Sequence, residues 1–456
     1  MSIRSSARIF RFGLATLLLT TGALACRHLG GPSSPTPTAD TVLWAGAVTP
    51  TSARIHARAP GGDTAGVRLA VTDADWTDAT TYEGTSPAPD SDILQVTLND
   101  LIPDTRYRYA LQIDGRIDTT RTGRFRTFAD GPFSFRVAMG ACATTGSTHP
   151  VFDAIRETNP DLFLHLGDMH YEDIDAPRPG PFRRAYRQVH GSPPQAALYL
   201  STSLAYVWDD HDYGPNNSSR RAPGQALAQQ VYREYVPHYP LAQAEDAPIY
   251  QAFTVGRVRF LLTDLRSART SNQAPDSVKT MMGTRQKRWF KRQLRQARDR
   301  YPVIAWVSSV PWIGPEGASE DHWGGFARER RELATYIDSI GVNDQLVVLS
   351  GDAHMVALDD GTHNRYGREG GGGFPVVHAA SMDQTGSVKG GPYTHGPYRT
   401  PLTLFGRRPG QFVLMDVQDD GGDEVCVTWT GKRYDPGRAR LSTLLEWGTC
   451  FPVPGA

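Results

Sequence analysis

The chain has 456 residues, of which 39% are hydrophobic, and its 48 Lys and Arg side chains are balanced by 48 Asp and Glu. That length exceeds one ordinary core and predicts two domains. Charge balance excludes a dedicated nucleic-acid binder, which needs a basic excess against phosphates, but leaves room for a local basic pocket around a small phosphate ester.

In chain order, Arg4, Arg8 and Arg11 precede an apolar run over 12–19, then small residues up to Cys26. A basic start, a short apolar stretch and small residues before a cleavage point describe a secretory signal over 1–26, and the run is too short to span a bilayer. Cys26 resembles the lipidated cysteine of a bacterial lipobox, with Ala23 and Leu24 in reversed order; the alternative is a cysteine removed with the signal. The expectation is an exported protein, periplasmic or at the cell surface, held by a lipid anchor. Residues 27–40, rich in Pro, Ser, Thr and Gly, read as an unpacked tether.

Over 41–129 the pattern is short strands at 42–48, 52–59, 66–72, 92–98, 106–113 and 122–128, broken by turns such as Asp114-Gly115. Such spacing predicts an antiparallel β-sandwich. Its 101–109 stretch resembles the strand-turn-strand corner of fibronectin type III domains. No cluster of titratable groups occurs there, so this part reads as a packing or spacer module.

From residue 130 to 456 buried-type strands alternate with helical stretches. The strands are 133–139, 162–166, 204–208, 259–263, 303–310, 345–349, 376–379 and 412–417; the helices are 151–158, 225–235, 285–298 and 328–340. Alternation of this kind predicts a layered α/β domain, in which ligands gather at the carboxyl ends of strands. Polar motifs fall at those ends: Gly140-Ala141-Cys142, Gly167-Asp168-Met169-His170-Tyr171, Asp209-Asp210-His211-Asp212 and Gly351-Asp352-Ala353-His354. Thiolate, phenolate, carboxylate and imidazole together suit a mixed metal site, and carboxylates can bridge two ions that clamp a displacement at phosphorus.

These motifs vary the Gly-Asp, Asn-His-Glu and Gly-His-x-His pattern of calcineurin-like metallophosphoesterases, and the variant resembles the PhoD-like alkaline phosphatase/phosphodiesterase family. The segments 263–269, 283–290 and 321–326 are similar to further family motifs, so the likeness spans most of the chain. It implies an α/β/β/α sandwich preceded by a fibronectin III-like domain. It also implies a ferric ion held by Cys142, Tyr171, Asp168, Asp352 and His354. Asp168 would bridge to a second site, calcium in this family, helped by Asp210 and with Asp209 as a further candidate. Zinc and manganese are alternatives to these ions. His211 would contact phosphate or protonate the leaving group, and Arg266 or Arg269 would bind phosphate oxygens.

Some positions depart from the family. Met169 replaces an aromatic residue, His170 is additional, and the 303–312 strand lacks the ligand histidine of the wider superfamily. Asn216 and Asn217 are candidate oxygen ligands, and Trp323, Phe326 and Tyr393 are candidates for flanking the pocket. Cys426 and Cys450 are a candidate disulfide in an exported chain. The reading is a monomeric phosphoesterase acting on small esters; its alternatives are a diesterase on lipid or teichoic-type polymers and a non-catalytic surface-binding lipoprotein.

Overall fold

The computed structural model describes residues 42–455 except 60–64, 72–73, 244–246, 318–319, 388 and 397–407. The expected signal, Cys26 and the 27–40 tether lie outside the described residues.

The N-terminal strands are β1 (Leu43–Gly46), β2 (Ala53–Arg58), β3 (Ala65–Val71), β4 (Thr80–Glu83), β5 (Ile93–Leu98), β6 (Arg106–Ile113) and β7 (Arg116–Arg126). A four-stranded sheet, β4-β3-β6-β7, is antiparallel throughout. Val67, Leu69, Tyr107, Tyr109, Leu111 and Phe125 of this sheet share a buried core with Ile55, Ala57, Val96 and Leu98 of β2 and β5. Alternate residues of β5 and β6 face that core, as half-buried strands require.

Next come β8 (Phe135–Gly140), α1 (Val151–Glu157), β9 (Leu162–His165), α2 (Pro179–Gly191), α3 (Pro193–Ser201), β10 (Ser203–Tyr206), α4 (Asp210–Tyr213) and α5 (Gln225–Tyr235). They are followed by β11 (Gln251–Val255), β12 (Val258–Leu262), α6 (Gly283–Arg298), β13 (Val303–Ser308), α7 (Ala327–Ile340), β14 (Leu346–Ser350), β15 (Val356–Asp359) and β16 (Val376–Ala379). The chain closes with β17 (Gln411–Gln418), β18 (Glu424–Asp435) and β19 (Arg440–Pro452).

Two sheets organise the body. One runs β19-β18-β17-β8-β9-β10-β1-β2-β5 and the other β11-β12-β13-β14-β16-β15. β8, β9 and β10 are parallel, as are β12, β13, β14 and β16. Period-two burial separates the faces of the second sheet. Phe260, Leu262, Ala305, Val307, Val347 and Leu349 join the core shared with the first sheet. Leu261, Ile304, Trp306, Leu346 and Val348 turn the other way, onto Trp289, Phe290 and Leu294 of α6 and Leu333 and Ile337 of α7. Strands buried on both faces read as unbroken apolar runs, which is why the sequence exposes them. On α6 the same apolar residues face inward and the Arg and Lys side chains stay outside.

The change of rhythm at residue 130 does not separate the sheets. β1, β2 and β5 extend the first sheet past β10, with Gly46 opposite Leu204. Trp44 Nε1 donates to the Tyr235 carbonyl at 2.8 Å, Gln95 Nε2 to the Arg233 carbonyl at 2.7 Å, and Tyr239 Oη to the Val48 carbonyl at 2.8 Å. The sequence reading also misses α2 and α3, each opened by proline, and the closing β18–β19 hairpin, where Cys426 pairs opposite Cys450 and the two form a disulfide.

Candidate active site

The carboxyl ends of β8, β9, β10 and β14 meet at one place. Cys142 N donates to the Gly167 carbonyl at 3.2 Å and Ala143 N to the Asp168 carbonyl at 3.0 Å, which locks the first two ends together. Gly351 supplies close approach: a Cβ there would stand 2.7 Å from the Leu166 carbonyl oxygen and 2.9 Å from the Ala141 Cβ. Gly167, at φ +111°, would meet the Asp209 Cβ at 2.7 Å. Cys142, Asp168, Asp352 and His354 all adopt positive φ, of 60°, 54°, 58° and 50°. Left-handed backbone costs non-glycine residues about 1–3 kcal/mol each and persists where surrounding structure over-determines it.

Cys142, Asp168, Tyr171 and His354 converge. Cys142 Sγ lies 3.5 Å from Asp168 Oδ2, Tyr171 Oη donates to the same oxygen at 3.0 Å, and Tyr171 Oη lies 3.0 Å from His354 Nε2. His354 Nδ1 faces the Thr385 carbonyl oxygen at 2.7 Å. A carbonyl only accepts, so Nδ1 carries the proton and Nε2 presents its lone pair to the cluster. Asp168 Oδ1 is buried and accepts nothing. Thus one oxygen of Asp168 faces the Cys142–Tyr171 side and the other is left for a second partner. Asp168, Asp210 and His211 offer a second close group of ligand atoms, all within 4.8 Å of one another, as do Cys142, Asp168 and His354.

Electrostatics say what is missing from these side chains alone. Burial, then Asp168 and Asp352, push the Cys142 thiol well above its usual value. Burial, then Asp168 and Cys142, push the Tyr171 phenol up as well. Asp168 is also driven well up, by burial and then by Asp210, Asp209, Asp212 and Asp352. A thiol, a phenol, an imidazole and an unpartnered carboxylate oxygen buried together fit a cation, whose charge would favour the thiolate, phenolate and carboxylate that burial opposes.

His211 stacks on Tyr171 with ring centroids 4.0 Å apart, and its Nδ1 lies 2.7 Å from Asp173 Oδ1. Asp173, unnoticed in the sequence reading, orients this imidazole. Asp212 was also passed over. Its carboxylate accepts from the backbone N–H of Asp168 at 2.7 Å, Met169 at 2.7 Å, His170 at 3.1 Å and Asp209 at 3.0 Å. Burial pushes it up to about 6, and the backbone N–H of Asp209, His170 and Asp168 pull it down. One side chain therefore staples the β9 end to the β10 end. Its spacing from Asp209, three residues on at a helix start, was the available signal.

Other candidates sit differently from expectation. Asp209 Oδ1 accepts from Arg266 Nε at 2.5 Å and from Ser309 Oγ at 2.9 Å; burial pushes its carboxyl up to about 7, against the pull of Arg266. Arg266 is fully buried, and it also contacts Asp321 Oδ2 at 3.1 Å and Asp210 Oδ1 at 3.5 Å. Its guanidinium is committed to carboxylates rather than presented to a substrate. Arg269, likewise buried, pairs with Asp321. Burial raises Asp210, but Arg266, His211 and Lys389 outweigh it and hold the carboxyl below its ordinary value. Asp352 Oδ2 accepts from Lys389 Nζ at 2.6 Å, a residue not singled out in the sequence. Ser309 stands just past β13, within the 303–312 stretch that lacks a histidine. Asn217 meets Asp210 through its backbone N–H, at 2.6 Å. His170 is buried, with both ring nitrogens lacking a hydrogen-bond partner and its ring edge-on to Tyr186. Trp323, Phe326 and Tyr393 are core residues, not pocket walls: all are at most 1% exposed.

A convergent Cys-Asp-Tyr-His set beside an Asp-His pair, at the carboxyl ends of strands in a double-sheet α/β fold, defines a metallophosphoesterase. Residues 137–381, more than half of the chain, match the family described as PhoD-like phosphatase, and the protein belongs to that family. Among solved structures the chain is similar to PhoD, at 17% identity and a TM-score of 0.69, over 92% of this chain and 91% of that one. It is also similar to the purple acid phosphatase PPD1 from yellow lupin (Lupinus luteus) seeds, at 13% identity and a TM-score of 0.60, over 90% of this chain and 73% of that one. At such identities both likenesses speak to the fold. A search of curated proteins finds no match to the chain.

Proposed function

We propose that the protein is an exported, metal-dependent phosphoesterase that hydrolyses phosphate monoesters, diesters or both. The observation that carries this reading is the meeting of Cys142, Tyr171 and His354 around one oxygen of Asp168, with the other oxygen left unpartnered. In this reading Cys142, Asp168, Tyr171 and His354 hold a ferric ion, while Asp168 and Asp210 hold a calcium ion. Asp352 belongs to either, once its bond to Lys389 is exchanged. When bound, such cations supply charge to the phosphoryl oxygens and lower the pKa of a water. The protein's own residues do the rest. Asp168 and Asp212 fix the spacing of the two ligand loops. Asp173 holds His211 Nδ1, so that Nε2 is the nitrogen that gives a proton to the leaving oxygen.

The finer architecture belongs to the same proposal. Strands β1-β2-β5 against β4-β3-β6-β7 support a fibronectin III-like sandwich, three strands facing four. Export and lipidation at Cys26 rest on the basic, then apolar, then small-residue order of residues 1–26. The mass of the mature N-terminus tests them. We read the protein as a monomer acting on a small phosphate ester.

The deciding experiment combines metal analysis of purified protein with turnover of p-nitrophenyl phosphate and bis-p-nitrophenyl phosphate. Iron, calcium and turnover of at least one ester are expected. Inertness toward both esters in iron-loaded, calcium-supplemented protein would leave the surface-binding lipoprotein as the better reading.

A further inference from the structure

Among the described residues, three Lys and Arg side chains stand around the carboxylates of the site. Arg266 and Arg269 are fully buried and face Asp209, Asp210 and Asp321. Lys389 differs. Its side chain keeps 27% exposure, with Nζ 2.6 Å from Asp352 Oδ2 and 3.7 Å from Asp321 Oδ2. It is thus the one of the three that a substrate can reach.

Its backbone is pinned on both sides. Two residues before it, Ser387 donates through N to the His354 carbonyl at 3.2 Å and through Oγ to the Ala353 carbonyl at 2.8 Å. On the other side, Gly391 N donates to the Ile313 carbonyl at 3.3 Å, and Tyr393 Oη donates to the carbonyl of Lys389 itself at 3.1 Å. Gly390, at φ +76°, lets the loop press so closely that a Cβ would lie 2.2 Å from the Ile313 carbonyl oxygen. The same loop, through Thr385, sets the His354 tautomer. A fixed backbone with a long, flexible stem delivers a compact ammonium to one small region while leaving its end free to exchange partners.

We propose that Lys389 is a phosphate-contacting residue of this site: its ammonium, held beside Asp352 and Asp321, donates to a non-bridging phosphoryl oxygen when substrate binds. Asp321 stays paired with Arg266 and Arg269, so it does not hold the lysine back. A lysine serves here as a point charge, without the fixed fork that a buried arginine presents. The inference rests on the phosphoesterase reading above.

The test uses the full chain with Lys389→Met and Lys389→Arg, and inorganic phosphate as the probe. Phosphate affinity is measured by calorimetry and by competition against p-nitrophenyl phosphate, with metal content determined on the same samples. Lys389→Met is expected to weaken phosphate ten- to a hundredfold at unchanged metal content, with Lys389→Arg falling between it and the wild type. Phosphate affinity within twofold of wild type in Lys389→Met overturns the proposal, as does a loss that follows lost metal. Should the methionine variant fail to fold, an arginine variant whose phosphate affinity equals the wild type also overturns it. If wild type turns over neither ester yet binds phosphate through Lys389, the enzymatic reading fails and the contact stands.

Discussion

Replacing Asp212 by Asn isolates the staple between the two ligand loops. The carboxylate accepts four backbone N–H groups, two on each oxygen: Met169 and His170 on Oδ1, Asp168 and Asp209 on Oδ2. An amide keeps one accepting oxygen, so two buried donors lose their partner whichever way the side chain turns. Hydrogen bonds to charged groups contribute about 1.5–3 kcal/mol each, which places the cost at about 3–6 kcal/mol. With an unfolding entropy near 2.1 cal/mol/K per residue, that lowers Tm by about 3–6 °C in a chain of this size. Calorimetry on chelator-stripped protein reads the effect free of metal binding, and Asp299→Asn, at an exposed carboxylate, serves as control. Because Asp168 and Asp210 ride on the stapled loops, kcat in loaded enzyme should fall by about a hundredfold, as ångström-scale misplacement does. A Tm drop below about 1 °C with unchanged kcat would refute the reasoning.

Further outcomes follow from the same geometry. Cys142→Ser and Tyr171→Phe should each lower bound metal in elemental analysis while the disulfide-closed body stays folded; full metal occupancy in both would remove them as ligands. Asp173→Asn should cut kcat roughly ten- to a hundredfold at constant metal content, less than the full contribution of a general acid; an unchanged pH–rate profile would argue that His211 needs no orienter. Arg266→Met strands Asp209, Asp210 and Asp321 in the interior and should cost about 3–5 kcal/mol. A stable variant with only a raised KM would instead put Arg266 at the substrate. Burial pushes His56, His165, His170, His190 and His378 down to about 3. Below the unfolded pKa of about 6.5 the unfolded chain gains protons that the fold refuses, so stability present at neutral pH declines by up to about 1.4 kcal/mol per histidine per pH unit. Asp209 and Asp212, raised to about 7 and about 6, act in the opposite sense. The histidine contribution is therefore read as the difference in Tm slope between wild type and His190→Gln in thermal scans of stripped protein from pH 7.5 to 5.5; equal slopes would contradict the burial.

The convergence of Cys142, Asp168 and His354 was legible because each follows a strand buried on both faces. A continuous apolar run that stops at Gly-Asp or Gly-x-Cys marks the end of such a strand without any knowledge of topology. Asp173, Asp212 and Lys389 gave no such mark. They lie in loops or on a single helical turn, and what makes them functional is a partner 37 to 44 residues away, at Asp352, His211 or Asp168. Arg266 misled for the converse reason. Its neighbours in sequence suggest a phosphate ligand, while its neighbours in space are three carboxylates. Nothing in the sequence told Trp323, Phe326 and Tyr393 from pocket walls, yet all three belong to the core cluster that holds Trp306 and Trp312. The long β18–β19 pair escaped notice because β19 alternates exposed and half-buried residues and buries only Leu445 and Phe451 fully.

The extension of the first sheet by β1, β2 and β5 bears on how the gene can be cut. A fragment starting at residue 130 would look complete by motif, since every candidate ligand lies within it. It would nevertheless lose the neighbour of β10, bare the Tyr235 and Arg233 carbonyls that Trp44 and Gln95 satisfy, and turn an interior strand into an open edge. Open edges recruit other chains. Truncation at that point should yield insoluble material, so the shortest soluble piece must begin before Leu43.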